Sequence, residues 1–161
     1  MRSDIVYLRL AIGIAGESRA SGNHPFGSIL VGPDGDVLLS SGNTYAQDRG
    51  VGHAELNVAC AAARQYEPDF LARCTLVTSV EPCCMCAGAC YWAGIGTVVY
   101  GLSERRLAEL TGNDPQNPTL NLACQTVFAS GPRRVATRGP FPELEDEIVA
   151  DHRAFWRQTP P

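Results

Sequence analysis

The chain has 161 residues, of which 45% are hydrophobic and 19% are charged. This length suits one domain, and the composition excludes disordered and fibrous proteins. All 13 basic residues are Arg, which excludes mechanisms that need a Lys, such as Schiff-base formation or a Walker phosphate loop. The net charge of −4 argues against a partner that is extended nucleic acid, and no apolar run approaches the ~20 residues that span a bilayer. We therefore expect one soluble, cytoplasmic domain over residues 1–161.

In the first half of the chain, helix and strand signals alternate. Ile5, Leu8 and Ile12 recur at helical spacing, which predicts an amphipathic first helix and not a signal peptide. The turn sequence Gly-Pro-Asp-Gly at 32–35 favours a hairpin between two strands. The predicted elements are, in order, a helix over 3–19, strands over 26–31 and 36–39, a polar loop over 40–52, and a helix over 53–64.

The second half continues this alternation. A β-branched segment at 75–80 predicts a strand, and Pro82 precedes a predicted helix over 83–92. The remaining predicted elements are a strand over 97–100, helices over 103–110 and 119–129 on either side of a loop over 113–118, an edge strand over 133–136, and a closing helix over 143–157. This order predicts a three-layer α/β domain with a central mixed sheet.

The cysteines favour metal binding over disulfides. The chain has seven of them, and four lie within 83–90. His53 and Glu55 stand at the start of one predicted helix, and Cys83 and Cys86 form a C-x-x-C at the start of another. Alone, the histidine could cap a helix or lie in the core, and the C-x-x-C could be a redox pair, a zinc-ribbon knuckle or two buried thiols. Together, two thiolates and one imidazole predict a zinc site with an open fourth position, as in catalytic zinc centres.

A closed, structural zinc site is the alternative. Cys84 and Cys90 could add ligands to Cys83 and Cys86 and complete a four-thiolate centre. However, Cys84 is adjacent to Cys83 and should point elsewhere, and Cys90 suits a small, buried, apolar role. We therefore favour the open site.

Four segments of the sequence resemble the cytidine deaminase superfamily, in the branch that holds bacterial guanine deaminases, yeast-type cytosine deaminase and tRNA adenosine deaminases. They read His-Pro-Phe-Gly at 24–27, Ser-Gly-Asn at 41–43, His-Ala-Glu at 53–55, and Glu-Pro-Cys-Cys-Met-Cys-Ala-Gly-Ala at 81–89. The resemblance covers most of residues 1–101 and implies a sheet of about five strands between helices, bound Zn²⁺ and a homodimer or other homo-oligomer. It also implies that His53 lies at the mouth of its helix, because residues two apart on a regular helix point to nearly opposite sides.

The resemblance implies a hydrolytic deaminase. Zinc hydroxide, on a metal held by His53, Cys83 and Cys86, would attack the ring carbon that carries the amino group. Glu55 would take the proton of the water, pass it to a ring nitrogen and help protonate the departing ammonia. The alternative for Glu55 is a first-turn carboxylate that stabilises the helix dipole.

Five further residues are implied as substrate contacts, and most have a structural alternative. Asn43 would hydrogen-bond the base or form a turn, and Phe26 would stack on the base or fill the core. The backbone N–H of Ala54 would act near the leaving group, and Trp92 would shape the base pocket. Asp114 would accept hydrogen bonds from a guanine-like edge, although its neighbours also form a turn sequence.

Three functions stay open at this level. The first is a deaminase of a small nucleobase or nucleoside, guanine-like or cytosine-like; the second is a tRNA adenosine deaminase; the third is a non-catalytic zinc domain used for assembly. The acidic charge disfavours the second, and Glu55 disfavours the third, because a structural zinc needs no such carboxylate. The aromatic tail with His152, Phe155 and Trp156 would cap a site of its own or a neighbouring subunit, or pack onto the body.

Overall fold

The computed structural model describes residues 3–112 and 114–156, which form a five-stranded sheet in the order β2-β1-β3-β4-β5 with helices on both faces. The strands are β1 (Gly27–Val31), β2 (Val37–Gly42), β3 (Thr75–Val80), β4 (Thr97–Leu102) and β5 (Ala136–Arg138). The α-helices are α1 (Asp4–Ala20), α2 (Tyr45–Asp48), α3 (Ala54–Gln65), α4 (Pro68–Leu71), α5 (Cys84–Ala93), α6 (Glu104–Thr111), α7 (Cys124–Ala129) and α8 (Glu145–Trp156). Single 3₁₀ turns occupy Arg49–Val51 and Pro142–Leu144. The predicted three-layer α/β architecture is confirmed.

The sheet is mixed, as predicted. β1 pairs antiparallel with β2 and with β3, whereas β3, β4 and β5 run parallel to one another. The predicted turn closes the hairpin, where Gly32 N–H donates to the Asp36 carbonyl over 2.9 Å. Parallel neighbours need crossover connections, which α5 provides between β3 and β4 and α6 with α7 between β4 and β5.

The helices divide between two apolar layers. α3, α5 and α7 cover one face of the sheet with side chains such as Val58, Ala87 and Phe128. α1, α6 and α8 cover the other face, where Leu8 and Leu107 are buried. Each fully buried Leu contributes about 1.5–3 kcal/mol relative to an exposed one, so both layers hold the sheet strongly. The helices that follow the adjacent strands β3 and β4 therefore leave the sheet toward opposite faces.

The predicted helix over 119–129 is wrong in its first half. Only α7 is helical, and residues 119–123 precede it without regular structure. The start of α7 is set from outside the segment, because the Glu81 carboxylate accepts a 2.9 Å hydrogen bond from Cys124 N–H. Leu120 and Leu122 are exposed, so no apolar contact draws them into a helical face.

Other boundaries shift by a few residues. β2 extends into the segment predicted as a loop over 40–52, and α2 forms there as well. The predicted edge strand over 133–136 lies instead at Ala136–Arg138, where its backbone pairs with β4. Asn113, the first residue of the predicted loop over 113–118, and residue 157, the last of the predicted closing helix, lie outside the described residues. Within the described ranges, no helix has the length and apolar character that crossing a membrane requires.

Helix α1 lies directly on β1 at Gly27. A Cβ atom there would collide with the carbonyl oxygen of Ala11 and lie 2.6 Å from Ala15 N, so the whole helix would have to shift. We expect Gly27→Ala to lower the free energy of unfolding by about 1–3 kcal/mol, measured by urea denaturation. Gly13→Ala is the matched control, because a Cβ at this position on α1 meets no atom within 4 Å. Equal stability of the two variants would contradict the tight contact.

Candidate metal and catalytic site

Three potential metal ligands meet where α3 and α5 begin. His53 is the N-cap residue of α3, Cys83 is the N-cap residue of α5, and Cys86 lies in the first turn of α5. Both cap residues have extended backbones, with ψ of 140° at His53 and 169° at Cys83. Because His53 precedes the regular helix, its side chain can share a site with that of Glu55, two positions later.

The distances between the ligand atoms suit a tetrahedral zinc ion. His53 Nδ1 lies 3.6 Å from Cys83 Sγ and 3.5 Å from Cys86 Sγ, and all three atoms are within 4.8 Å of one another. Tetrahedral zinc, with Zn–S of about 2.3 Å and Zn–N of about 2.05 Å, separates N from S by about 3.6 Å. The three residues therefore have the chemistry and the spacing to hold the ion.

The group offers three ligands and not four. Within the described residues, no further His, Cys, Asp or Glu joins it. Cys90 is fully buried in the apolar layer that contains Ala87, which is the role predicted for it. Cys84 is half-buried and also stays outside the group. This arrangement disfavours the closed, structural alternative.

Electrostatics favour a thiolate at Cys83. The hydrogen bond from the Cys86 thiol, supported by His53 and opposed by burial, lowers the pKa of Cys83 to about 4. Sharing that proton, together with burial, raises the pKa of Cys86. Burial lowers the pKa of His53, but its hydrogen bond to Cys83 and the charge of Glu55 outweigh burial and raise this pKa to about 8. A cation that binds here replaces protons held by the same donor set.

Glu55 lies beside the ligands without being one of them. It is 4% exposed, in the first turn of α3, and its Oε1 accepts a 2.6 Å hydrogen bond from the Thr78 hydroxyl of β3. Burial raises the pKa of Glu55, although the charge of His53 and the Thr78 hydrogen bond oppose this shift. A buried carboxyl with a raised pKa, next to a metal-ligand group, is suited to accept and return a proton.

Asn43 and Ala54 are two further groups that the resemblance implied as substrate contacts. Asn43 is buried just after β2, and its Oδ1 accepts a 2.8 Å hydrogen bond from Tyr45 N–H, which fits the turn alternative. No described residue accepts a hydrogen bond from its amide nitrogen, which leaves the two N–H donors of this amide available to a ligand. Ala54 is the first residue of α3, where backbone N–H groups have no partner within the helix.

Phe26 joins an aromatic cluster formed with the last helix. Its ring meets that of His152 edge-on, with 5.0 Å between centroids. His24 stacks on Tyr45 at 4.3 Å and meets Trp156 at 5.0 Å. The aromatic side of α8 therefore packs onto the body of its own chain, which is one of the predicted alternatives. Ion pairs between α8 and α1, such as that from Arg19 to Asp151 over 2.8 Å, support this contact.

The structure does not bring Trp92 to the three ligands. This side chain is 82% exposed, near the end of α5, about 13 Å along the helix axis from Cys83 at about 1.5 Å per residue. Asp114 is half-buried in the segment after α6, and its Oδ1 accepts a 2.9 Å hydrogen bond from Gln116 N–H. Asp114 thus adopts the turn that its neighbours favour. The substrate contacts of both residues stay predictions.

Sequence reasoning missed two buried carboxyl groups, Glu81 and Glu104. Glu81 Oε1 accepts a hydrogen bond from Cys124 N–H, and its Oε2 accepts one from Glu104 N–H over 3.0 Å, so Glu81 caps two helices. Glu104 lies in the first turn of α6 and is 9% exposed. Glu81 opens the segment over 81–89 that resembles the deaminase family, which gave it no stated role, and nothing local marked Glu104.

Comparison with known sequences agrees with this site. Residues 1–102 match the family model described as the cytidine and deoxycytidylate deaminase zinc-binding region. The chain is 35% identical over 153 residues to a probable cytosine deaminase from Schizosaccharomyces pombe, which covers 95% of this chain and 92% of the relative. It is also 32% identical over 112 residues to a guanine deaminase from Bacillus subtilis, covering 67% of this chain and 70% of the relative.

A solved structure shows the same fold. The guanine deaminase from Nitrosomonas europaea superposes with a TM-score of 0.73 at 20% identity, covering 98% of this chain and 86% of that chain. The similarity extends from the fold to the sequence, since one sequence match spans residues 1–102 and another nearly the whole chain. By the match over residues 1–102, the protein belongs to the cytidine deaminase superfamily.

Proposed function

We propose that this protein is a zinc-dependent hydrolytic deaminase of a small aminated nucleobase or nucleoside, guanine-like or cytosine-like. The observation that carries the proposal is one group of three ligand atoms within 4.8 Å, with a buried carboxyl beside it that is not a ligand. His53, Cys83 and Cys86 would hold Zn²⁺, which, when bound, supplies a nucleophilic hydroxide at neutral pH. The acidic net charge and the cytosine and guanine deaminases among the relatives support a small substrate.

The chain's own residues would move the proton and hold the base. Glu55 accepts the proton of the attacking water and returns it to a ring nitrogen and then to the leaving amine. Thr78, which donates to Glu55 Oε1, fixes the carboxyl in place. Asn43 donates its amide N–H to the heterocycle, and Phe26 packs against the flat ring. The backbone N–H of Ala54, unpaired at the start of α3, polarises the leaving-group region.

The reaction balances as a hydrolysis. A C–O bond forms from water to the ring carbon, the C–N bond to the amino group breaks, and ammonia leaves a ring carbonyl behind. No oxidant or reductant is needed, because carbon keeps its oxidation state. The predicted homo-oligomer and the predicted cytoplasmic location stay predictions.

Ammonia release from a panel of substrates tests the proposal. We expect zinc-loaded protein to deaminate at least one free base or nucleoside among cytosine, guanine, adenine and their nucleosides. Activity on tRNA alone would replace the proposal with a tRNA adenosine deaminase. Absence of activity in protein that holds one zinc per chain would favour a zinc domain used for assembly.

A further inference from the structure

Two helices diverge at the edge of the sheet beyond β3 and β4. These parallel strands are in register, with Val80 opposite Leu102. Directly after them, α5 begins with its cap at Cys83 on one face of the sheet, and α6 begins at Glu104 on the other face. Ligands of parallel sheets bind at such positions, where helices after neighbouring strands diverge to opposite faces. Cys83 and Glu104 therefore mark the starts of two helices that diverge to opposite faces of the sheet.

Glu104 lines a cavity of about 750 Å³ at this edge. The cavity wall also includes Glu81 and the segment 119–123. Although Glu104 is 9% exposed, none of the residues in the described ranges donates a hydrogen bond to its carboxylate. Its oxygens are not sealed in the core, because among the described residues the fully buried side-chain atom without a hydrogen-bond partner is His152 Nε2. Glu104 thus presents an acceptor to whatever enters the cavity.

The neighbouring acids are already engaged. Glu81 accepts two backbone hydrogen bonds, from Glu104 N–H and from Cys124 N–H. Asp114, the acid that the sequence suggested for base recognition, accepts its hydrogen bond from Gln116 N–H. Glu109, which lines the same cavity, pairs with Arg106 over 2.9 Å. Among these four described acids, Glu104 is the one whose carboxylate accepts no hydrogen bond.

The electrostatic surroundings agree with a position close to the metal-ligand group. Burial, followed by the negative charges of Cys83, Glu55 and Glu81, raises the pKa of Glu104 to about 8. A group that donates hydrogen bonds would relieve the same crowding of negative charge that causes this shift.

We propose that Glu104 is a specificity-determining residue, whose carboxyl group accepts a hydrogen bond from an N–H donor of the heterocyclic substrate. The inference rests on the proposed function, because it requires that a heterocycle bound at the metal-ligand group reach the cavity that Glu104 lines. It goes beyond that function by assigning recognition of an N–H edge to a residue of α6, in place of Asp114. The ligand class is a nitrogen heterocycle that presents N–H donors away from the reacting carbon.

Steady-state kinetics of Glu104→Gln provide the first test. Assayed above pH 8, where the Glu104 carboxyl group is ionised, Glu104→Gln should raise KM about 10-fold for the base that the wild-type protein deaminates best, because a neutral amide accepts a weaker hydrogen bond than a carboxylate, while kcat changes little. Glu143→Gln, which removes one exposed negative charge in the turn before α8, should leave both constants unchanged. Glu104→Asp keeps the charge but withdraws it by one methylene, and should raise KM less than Glu104→Gln does.

A binding measurement separates this inference from the proposed function. Zinc-loaded Glu55→Gln protein and the double variant Glu55→Gln/Glu104→Gln are titrated calorimetrically with guanine and with cytosine. We expect the double variant to bind at least one base about 10-fold more weakly, with equal zinc content and equal melting temperature. Equal Kd values, or no binding of either base by the Glu55→Gln protein, would overturn the role of Glu104. Turnover by Glu104→Gln with an unchanged KM would also overturn the role of Glu104, whereas the proposed deaminase activity would stand.

Discussion

Glu55→Gln is expected to lower kcat by about 10²–10⁴-fold, which is the usual contribution of a positioned general acid–base group. The amide is isosteric and can still accept the hydrogen bond from Thr78, so the fold and the three ligands should be unaffected. What the variant loses is a carboxyl group that exchanges a proton with water and substrate. The ligands themselves are untouched, because Glu55 lies outside the group formed by His53, Cys83 and Cys86.

Ammonia release and zinc content, measured on the same preparation, check this expectation. Zinc should stay at one per chain in Glu55→Gln, as in the exposed control Glu143→Gln, whose kcat should equal that of the wild type. A kcat within about threefold of the wild-type value would remove Glu55 from the proton-transfer role. Loss of zinc from Glu55→Gln would instead show that the carboxyl group supports the metal site.

Cys86→Ser is expected to abolish stable zinc binding and, with it, activity. The hydroxyl of serine is a poor zinc ligand, and two protein ligands hold the ion far less tightly than three. Cys84→Ser is the matched control, since Cys84 is adjacent to Cys83 and lies in the same turn but outside the ligand group. It should retain one zinc per chain and most of the activity.

Thermal unfolding with and without a chelator gives a readout that is independent of turnover. At a zinc concentration about 1,000-fold above Kd, binding to the folded state alone adds about 4 kcal/mol of stability. For a domain of this size the chelator should therefore lower the wild-type Tm by roughly 8–16 °C. The Tm of Cys86→Ser should not respond to the chelator. A chelator-sensitive Tm in Cys86→Ser would show that the other residues suffice to hold the ion.

Local patterns in the sequence predicted most of the elements. β3 lies where the β-branched segment indicated, and α1 and α5 agree with their predicted ranges to within one residue. These segments carry their signals within a few neighbours: a turn sequence, a proline before a helix, a strand of β-branched residues. The start of α7 carried no such signal, because the group that caps it, Glu81, is distant in the chain.

In the candidate site, too, local sequence signals predicted some features and tertiary packing decided others. The pairing of Cys83 with Cys86 is a matter of spacing on one helix, and the resemblance of His53 and Glu55 to a known motif supplied their place beside it. The exposure of Trp92 and the occupied carboxylate of Asp114 depended on packing around them, which the sequence did not reveal.

By itself, the sequence determined the alternation of helices and strands, the residue types of a three-ligand zinc group, and the family to which they point. Only the tertiary structure decided that His53 Nδ1 stands 3.5 Å from a sulfur 33 positions away, and that Glu104 lies buried without a donor beside that group. The physical reason is that patterning is local, whereas distance and burial depend on which strands become neighbours. Here the parallel pairing of β3 with β4 brings the starts of α5 and α6 together at one edge of the sheet.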